Sequence, residues 1–475
     1  MSDVGDQLTM GDALSQAERI RRGECTSVGL VSEAIDRIER FNRQLCSYVA
    51  LDTDSALRAA KAADEYLGSA GPEALPPFHG VPTSIKDIID VAGLPTTHSC
   101  KALANNMANL DDPLVTRLRR AGLVVLAKTN VPEFCSSMTT SELHGVCRNP
   151  WNVERTAGGS SGGAAAAVAA RLCSVAHGTD GAGSVRVPAS FCGLVGLKPS
   201  RRLVAFGPDQ VNTYFGTSEP GVLSRSVRDA AALLDVMVGD QATEAGWSPR
   251  GTQSYREGLV QPLPRLKIAV STTPPLGAIT EACEGAAFQA SQLLTSLGHS
   301  VEMATPEWDA IMVAAGGPMS VPGAAALVGP DQYDQLEPRN RPLVSRLATM
   351  TLVDHDQWAR QTLAAAATFL RFWDRYDVLV TPTCGMVAPS VDWAPWDLSP
   401  EEHMALFASF PNFAQPFNLS GQPAISLPLY VDPDGLPIGI QLGGRLLDEG
   451  TILGLAAELE RAAPWADRIA PDPAT

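Results

Sequence analysis

Apolar residues recur at three- and four-residue spacing over residues 9–22 and 27–45, which predicts two amphipathic helices. Thr26 stands where the N-cap of the second belongs. A short strand at Ser47–Leu51 leads into an alanine-rich helix near 54–68. Val81–Ile85 reads as a strand that delivers Lys86 at its end. Leu114–Ala121 is a predicted helix ended by Gly122, and Leu123–Ala127 a buried strand. The pattern continues with helix Ala164–Arg171, strand Cys173–His177, strand Leu266–Ser271 and a helix from Glu281 to Leu297. Helix Gln357–Tyr376 and strand Asp377–Thr381 follow. Strands Pro423–Leu429 and Ile438–Gln441 are joined by the turn Asp432-Pro433-Asp434-Gly435, and Thr451–Arg461 closes the chain as a helix. Strands alternating with helices predict an α/β fold, a sheet wrapped in helices. The stretches 202–220, 304–345 and 384–400 are rich in Gly, Pro and Met or aromatic residues and read as long loops that line an active site.

The chain has 475 residues, 45% of them hydrophobic, ample for a large core. Length alone suggests about three domains. No repeat, low-complexity tract or clear linker divides the chain, so residues 1–475 are expected to form one domain. A formal net charge of −16 argues against a nucleic-acid partner, because phosphate binding needs a basic face. No apolar run approaches the ~20 residues of a membrane span. The N-terminus lacks the basic and apolar regions of a secretory signal. Nine scattered cysteines with no C-x-x-C pair read as reduced thiols, and the expected location is cytoplasmic. The histidines form no H-x-x-x-H pair, so neither a metal nor another cofactor is expected.

Two glycine-rich runs carry the chemistry. The first is Gly158-Gly159-Ser160-Ser161-Gly162-Gly163 and the second Gly178-Thr179-Asp180-Gly181-Ala182-Gly183-Ser184. Glycine costs a folded chain conformational entropy, so such clusters mark backbone that must reach something. Ser160 and Ser161 precede Gly162–Val168 and so occupy a helix N-terminus. Ser184 follows a strand and a tight turn, where the N–H groups of Gly181, Ala182, Gly183 and Ser184 are placed to hold an oxyanion. Losing one such donor costs about 3–4 kcal/mol of transition-state stabilisation. A serine nucleophile needs a base. His177 ends a strand seven residues before Ser184 and is not compelling. Lys86 serves if burial between Ile85 and Ile88 keeps it neutral, although Lys128 has the same generic look. Gly158–Gly162 also matches the G-x-S-x-G nucleophile elbow, but that motif needs a preceding strand, and Asn149–Thr156 is polar and irregular.

The two serine runs continue into Val185-Arg186-Val187-Pro188-Ala189-Ser190 and Cys192-Gly193-Leu194-Val195-Gly196-Leu197-Lys198-Pro199. Together they resemble the amidase signature family. The resemblance extends to Gly80–Asp87, Ala127–Pro132, Asn149-Pro150-Trp151, Pro416-Phe417-Asn418 and Gly421–Ala424, and is thinnest across 201–415. It implies one large mixed sheet surrounded by helices. Residues 1–70 would be N-terminal helices, 75–200 the signature core, 201–415 a variable pocket region, and 416–475 C-terminal core strands and a helix. It implies a Ser–cis-Ser–Lys triad in which Ser184 is the nucleophile, Ser160 the relay behind a cis peptide, and Lys86 the base. Ser161, Asp180 and Arg186 match supporting positions, and Cys135 and Ser136 fall where the family lines its acyl pocket. Ala182 departs from the glycine many members carry; it keeps the N–H.

The implied activity is hydrolysis of small-molecule amides, with esters and carbamates as further substrates, in a monomer or homodimer. The nearest relatives by resemblance are bacterial amidases, aryl-acylamidases, cyclic-amide hydrolases and urethanases. Phe134–Met138 and the 304–345 stretch, with Met312 and Met319, favour an uncharged, partly apolar substrate. One rival is the glutaminase subunit of the glutamyl-tRNA amidotransferase, which usually has glutamine where Val187 stands here. The other is a non-catalytic binding protein on the same fold.

Overall fold

Eleven strands join one mixed sheet. This computed structural model describes residues 10–205, 207, 216–238, 254–316 and 327–473. In chain order the strands are β1 (Tyr48–Leu51), β2 (Pro82–Lys86), β3 (Val124–Thr129), β4 (Val175–Asp180), β5 (Val195–Lys198) and β6 (Glu219–Ser224). They continue with β7 (Lys267–Val270), β8 (Ser300–Met303), β9 (Val378–Pro382), β10 (Ala424–Val431) and β11 (Pro437–Gly443). Across the sheet the order is β1-β3-β2-β4-β6-β5-β10-β11-β9-β7-β8. Strands β3, β2 and β4 are mutually parallel, as are β9, β7 and β8. The run from β4 to β9 is antiparallel throughout.

The helices that matter for the site are α1 (Ala13–Arg21), α2 (Ser27–Leu45), α3 (Thr53–Ala70), α4 (Pro113–Arg120), α5 (Gly162–Ala169), α6 (Arg186–Cys192) and α7 (Val227–Val238). Thr26 caps α2 as expected, accepting from the Gly29 N–H. Helix α5 has no polar face and every residue of it is buried, so it must be enclosed on all sides. One core cluster sets α2, α3 and α5 on Val124, Leu126, Ala176 and Leu223. On the other face, α4, α7, Glu281–Ser296 and Glu449–Ala462 pack on Val125, Val195, Ile268 and Ile440. Among the described residues no helix is long and apolar enough to cross a membrane.

Several expectations need correction. The predicted loop 202–220 runs into β6, a central strand with all six residues buried. Its Glu-Pro-Gly opening offers no apolar run, and Pro220 removes a ladder donor, which argues against a central strand by pattern alone. The expected loop 304–345 holds helices Trp308–Met312 and Arg341–Thr349 and a 3-10 turn at Pro330–Gln335. The expected helix Gln357–Tyr376 instead spans Leu352–Leu370, capped reciprocally by Thr351 and Asp354, with a 3-10 turn at Arg371–Asp374. Strands β5 and β8 and helices α6 and α7 had no expectation. Residues 206, 208–215 and 317–326, Met319 among them, lie outside the described residues.

Candidate active site

Parallel pairing of β3, β2 and β4 brings their carboxyl ends to one edge of the sheet, the usual place for ligand sites in α/β folds. Lys86 is the last residue of β2 and Asp180 the last of β4. The chain from Gly162 to Asp180 makes one helix and one strand, and this return seats the two serine loops together. The Ser161 N–H donates to the Ser184 carbonyl at 3.0 Å. Two glycines permit the close approach. A Cβ on Gly163 would lie 2.4 Å from the Asn130 nitrogen, and one on Gly178 would lie 2.9 Å from Ser161 Oγ.

Lys86 is fully buried. Its Nζ lies 2.7 Å from Ser160 Oγ, 2.8 Å from Thr179 Oγ1 and 3.2 Å from the Thr179 carbonyl. Burial holds its pKa below the ordinary lysine value, with Cys135 and Asp180 pulling the other way. The Gly159–Ser160 peptide bond is cis. Ser161 stands at the N-cap of α5 without capping it; its hydroxyl donates to the Thr179 carbonyl at 3.2 Å. Ser184 is half-buried. Among the described residues no hydrogen bond joins the Ser160 and Ser184 hydroxyls.

Asp180 organises the second loop. Its carboxylate accepts from the N–H groups of Gly183, Val185 and Arg186 at 2.8, 3.1 and 3.3 Å. It also takes Nε and Nη2 of Arg186 at 3.0 and 2.8 Å, both partners fully buried. Burial alone would raise the Asp180 pKa. The Arg186 charge and hydrogen bonds, with help from Lys198 and Asn418, outweigh it and hold the carboxyl well below the usual range. Gly183 therefore departs from expectation: its N–H points at Asp180 and not at the pocket. Among the described residues none accepts from the N–H groups of Gly181, Ala182 and Ser184.

Cys135 and Ser136 are both half-buried, and Cys135 sits at φ 63° beside Lys86. The Ser136 hydroxyl donates to the Glu133 carbonyl at 3.0 Å. The rival lysine, Lys128, is committed elsewhere, 3.1 Å from Asp87 in a fully buried ion pair. His177 is buried and its pKa is pushed down to about 3 by burial, which keeps it neutral. Asn152–Thr156 forms a short strand in a separate two-stranded ribbon, so the nucleophile-elbow geometry has no sheet strand to spring from. Two residues with no predicted role are central here: Thr179, which receives Lys86, and Asn418, whose Nδ2 donates to the Asp180 carbonyl at 2.7 Å. Thr179 lies in the second glycine run, and Asn418 ends the Pro416-Phe417-Asn418 segment. Position in a motif was the only signal.

A sequence profile of the Amidase family matches residues 29–453. The chain is 35% identical over 489 aligned residues to the 6-aminohexanoate-cyclic-dimer hydrolase of Paenarthrobacter ureafaciens, covering 96% of each. It is 33% identical over 463 residues to an acylamidase of Rhodococcus erythropolis, covering 92% of each. A solved structure of 6-aminohexanoate cyclic dimer hydrolase matches with a TM-score of 0.86 at 33% identity, over 97% of this chain and 99% of that one. The chain belongs to the amidase family.

Proposed function

We propose that the protein hydrolyses the C–N bond of neutral amides through an acyl-enzyme on Ser184. The observation that carries this reading is the 2.7 Å contact of a fully buried Lys86 with Ser160, one residue from the Ser161–Ser184 backbone link. A neutral amine has two N–H bonds and one lone pair. In this reading the Thr179 hydroxyl and carbonyl take the two N–H bonds and the lone pair faces the Ser160 hydroxyl. Lys86 then accepts the Ser160 proton as Ser160 accepts that of Ser184. Ser184 Oγ bonds to the amide carbon, and the N–H groups of Gly181, Ala182 and Ser184 receive the oxyanion. The proton returns through Ser160 to the leaving nitrogen as the C–N bond breaks. Water, activated by the same relay, cleaves the ester, releasing the acid and restoring Ser184.

The surroundings favour an uncharged substrate. Met138 and Val187, which flank the two serine loops, cluster with Met386, Trp393, Leu406 and Phe410. The names of the relatives, a cyclic-dimer hydrolase and an acylamidase, point the same way. Val187 within this apolar cluster disfavours the glutaminase alternative. Esters and carbamates present the same carbonyl and belong in the test. A panel of aryl amides, esters and carbamates should give turnover on wild type and a loss of at least ~10³-fold in Ser184→Ala. Absence of turnover on every neutral aryl amide and ester would overturn the proposal.

A further inference from the structure

Each backbone carbonyl of a turn fixes the opposite N–H, because the two point apart across a trans peptide. Three carbonyls of the 180–184 turn are held from behind. Asn418 Nδ2 donates to that of Asp180 at 2.7 Å and the Val187 N–H to that of Gly183 at 2.7 Å. The third holder is Asn412, whose Nδ2 donates to the Ala182 carbonyl at 2.8 Å. The amide orientation of Asn412 is itself fixed, since its Oδ1 accepts the Ala414 N–H at 2.8 Å. The Asn412 backbone is seated by bonds from Asn412 N–H to Phe410 and from Gly385 N–H to Pro411, both 2.8 Å, and by a bridge to Cys384.

The Ala182–Gly183 peptide is thus clamped at both ends, its carbonyl by Asn412 and its N–H by Asp180. It lies between the Ala182 and Ser184 N–H groups. Gly183 is at φ 109°, a region open to glycine alone, so without a clamp this peptide rotates cheaply. A rotated peptide would turn its carbonyl oxygen toward the Asp180 carboxylate and carry the flanking Ala182 and Ser184 N–H groups out of line. We propose that Asn412 is a positioning residue that holds the oxyanion-binding turn in its donating conformation. This rests on the reading of Ser184 as nucleophile given above. Asn412 touches no reacting atom; it acts through the Ala182 carbonyl.

The test compares Asn412→Ala and Asn412→Asp with wild type and Ser184→Ala as full-length proteins on a neutral aryl amide. Asp keeps the shape of Asn but faces the Ala182 carbonyl with an oxygen. Both Asn412 variants should lose about 10- to 100-fold in kcat with KM within about twofold. A trifluoromethyl ketone, which adds to the serine as an oxyanion, should weaken by the same factor, whereas an unreactive methylene analogue should bind as before. A purely structural role would not separate these two inhibitors. Should Asn412→Ala not fold, the isosteric Asn412→Asp decides alone. Wild-type kcat in the folded variants, or a loss confined to KM, overturns the inference while an inactive Ser184→Ala leaves the nucleophile reading intact. Turnover by Ser184→Ala overturns both.

Discussion

Thr179 receives Lys86 twice, on its hydroxyl at 2.8 Å and on its carbonyl at 3.2 Å. In the proposed mechanism these contacts orient neutral Lys86 so that its lone pair faces Ser160. Thr179→Val keeps the shape and the carbonyl but removes the hydroxyl acceptor. Turnover should fall by roughly tenfold, the scale of one lost hydrogen bond. Thr179→Ser should stay within about threefold of wild type. Steady-state kinetics on one aryl amide checks both.

The pH profile follows from burial of Lys86. Burial is the main cause of its lowered pKa, and the groups that pull the other way are Cys135 and Asp180. A base works unprotonated, so kcat/KM should fall as pH drops through the folded-state value and level off above it. Lys86→Met should lose activity at every pH. The stability sign is separate. Because the folded pKa lies below the ordinary 10.5, the unfolded chain binds more protons in the interval between the two. Wild-type stability should therefore rise with pH across that interval, and Lys86→Met should lack this slope. Unfolding midpoints measured against pH decide it.

The sequence was most legible where local rules act alone. The span of α2 follows from its apolar spacing and Thr26, and Lys86 from the strand that ends there. It was least legible where tertiary context overrides pattern. Strand β6 opens on Glu219-Pro220-Gly221 yet lies between two strands that bury it. At the site, the glycine runs pointed to Ser160 and Ser184 and left Lys86 and Lys128 as rival bases until the family resemblance chose Lys86. The fold sets Lys86 against Ser160 and pairs Lys128 with Asp87. The partners of those residues were not legible. That the Gly183 N–H is consumed by Asp180 depends on the path of a turn, and that Thr179 serves Lys86 depends on two strands meeting.

Asp180 and Arg186 form a fully buried pair, so removing one partner leaves an uncompensated charge. Asp180→Ala should destabilise the fold by about 3–5 kcal/mol and abolish turnover. The wild-type pair should be sensitive to acid. Its carboxyl is held below the ordinary 3.8, so its contribution is present above that pH and lost as pH falls below it. Thermal unfolding of both proteins near neutrality and near pH 3 measures the difference, which should shrink at acid pH.

Glycine substitutions separate close approach from simple flexibility. A Cβ at Gly163 would meet backbone atoms of Asn130 and Ser47 within 2.6 Å, and backbone does not yield. Gly163→Ala should abolish activity and lower the unfolding midpoint. Gly68, within α3, has nothing within 4 Å of such a Cβ. Gly68→Ala should leave activity unchanged and add up to ~1 kcal/mol of stability.

The central claim is that Ser184 alone carries the acyl group, driven by Lys86 through Ser160. Intact-mass analysis and peptide mapping after reaction with a fluorophosphonate measure this most directly. One adduct per chain is expected, on the peptide holding Ser184, absent in Ser184→Ala and strongly slowed in Lys86→Met. An adduct on Ser160 or Ser161, or undiminished labelling of Ser184→Ala, would contradict it.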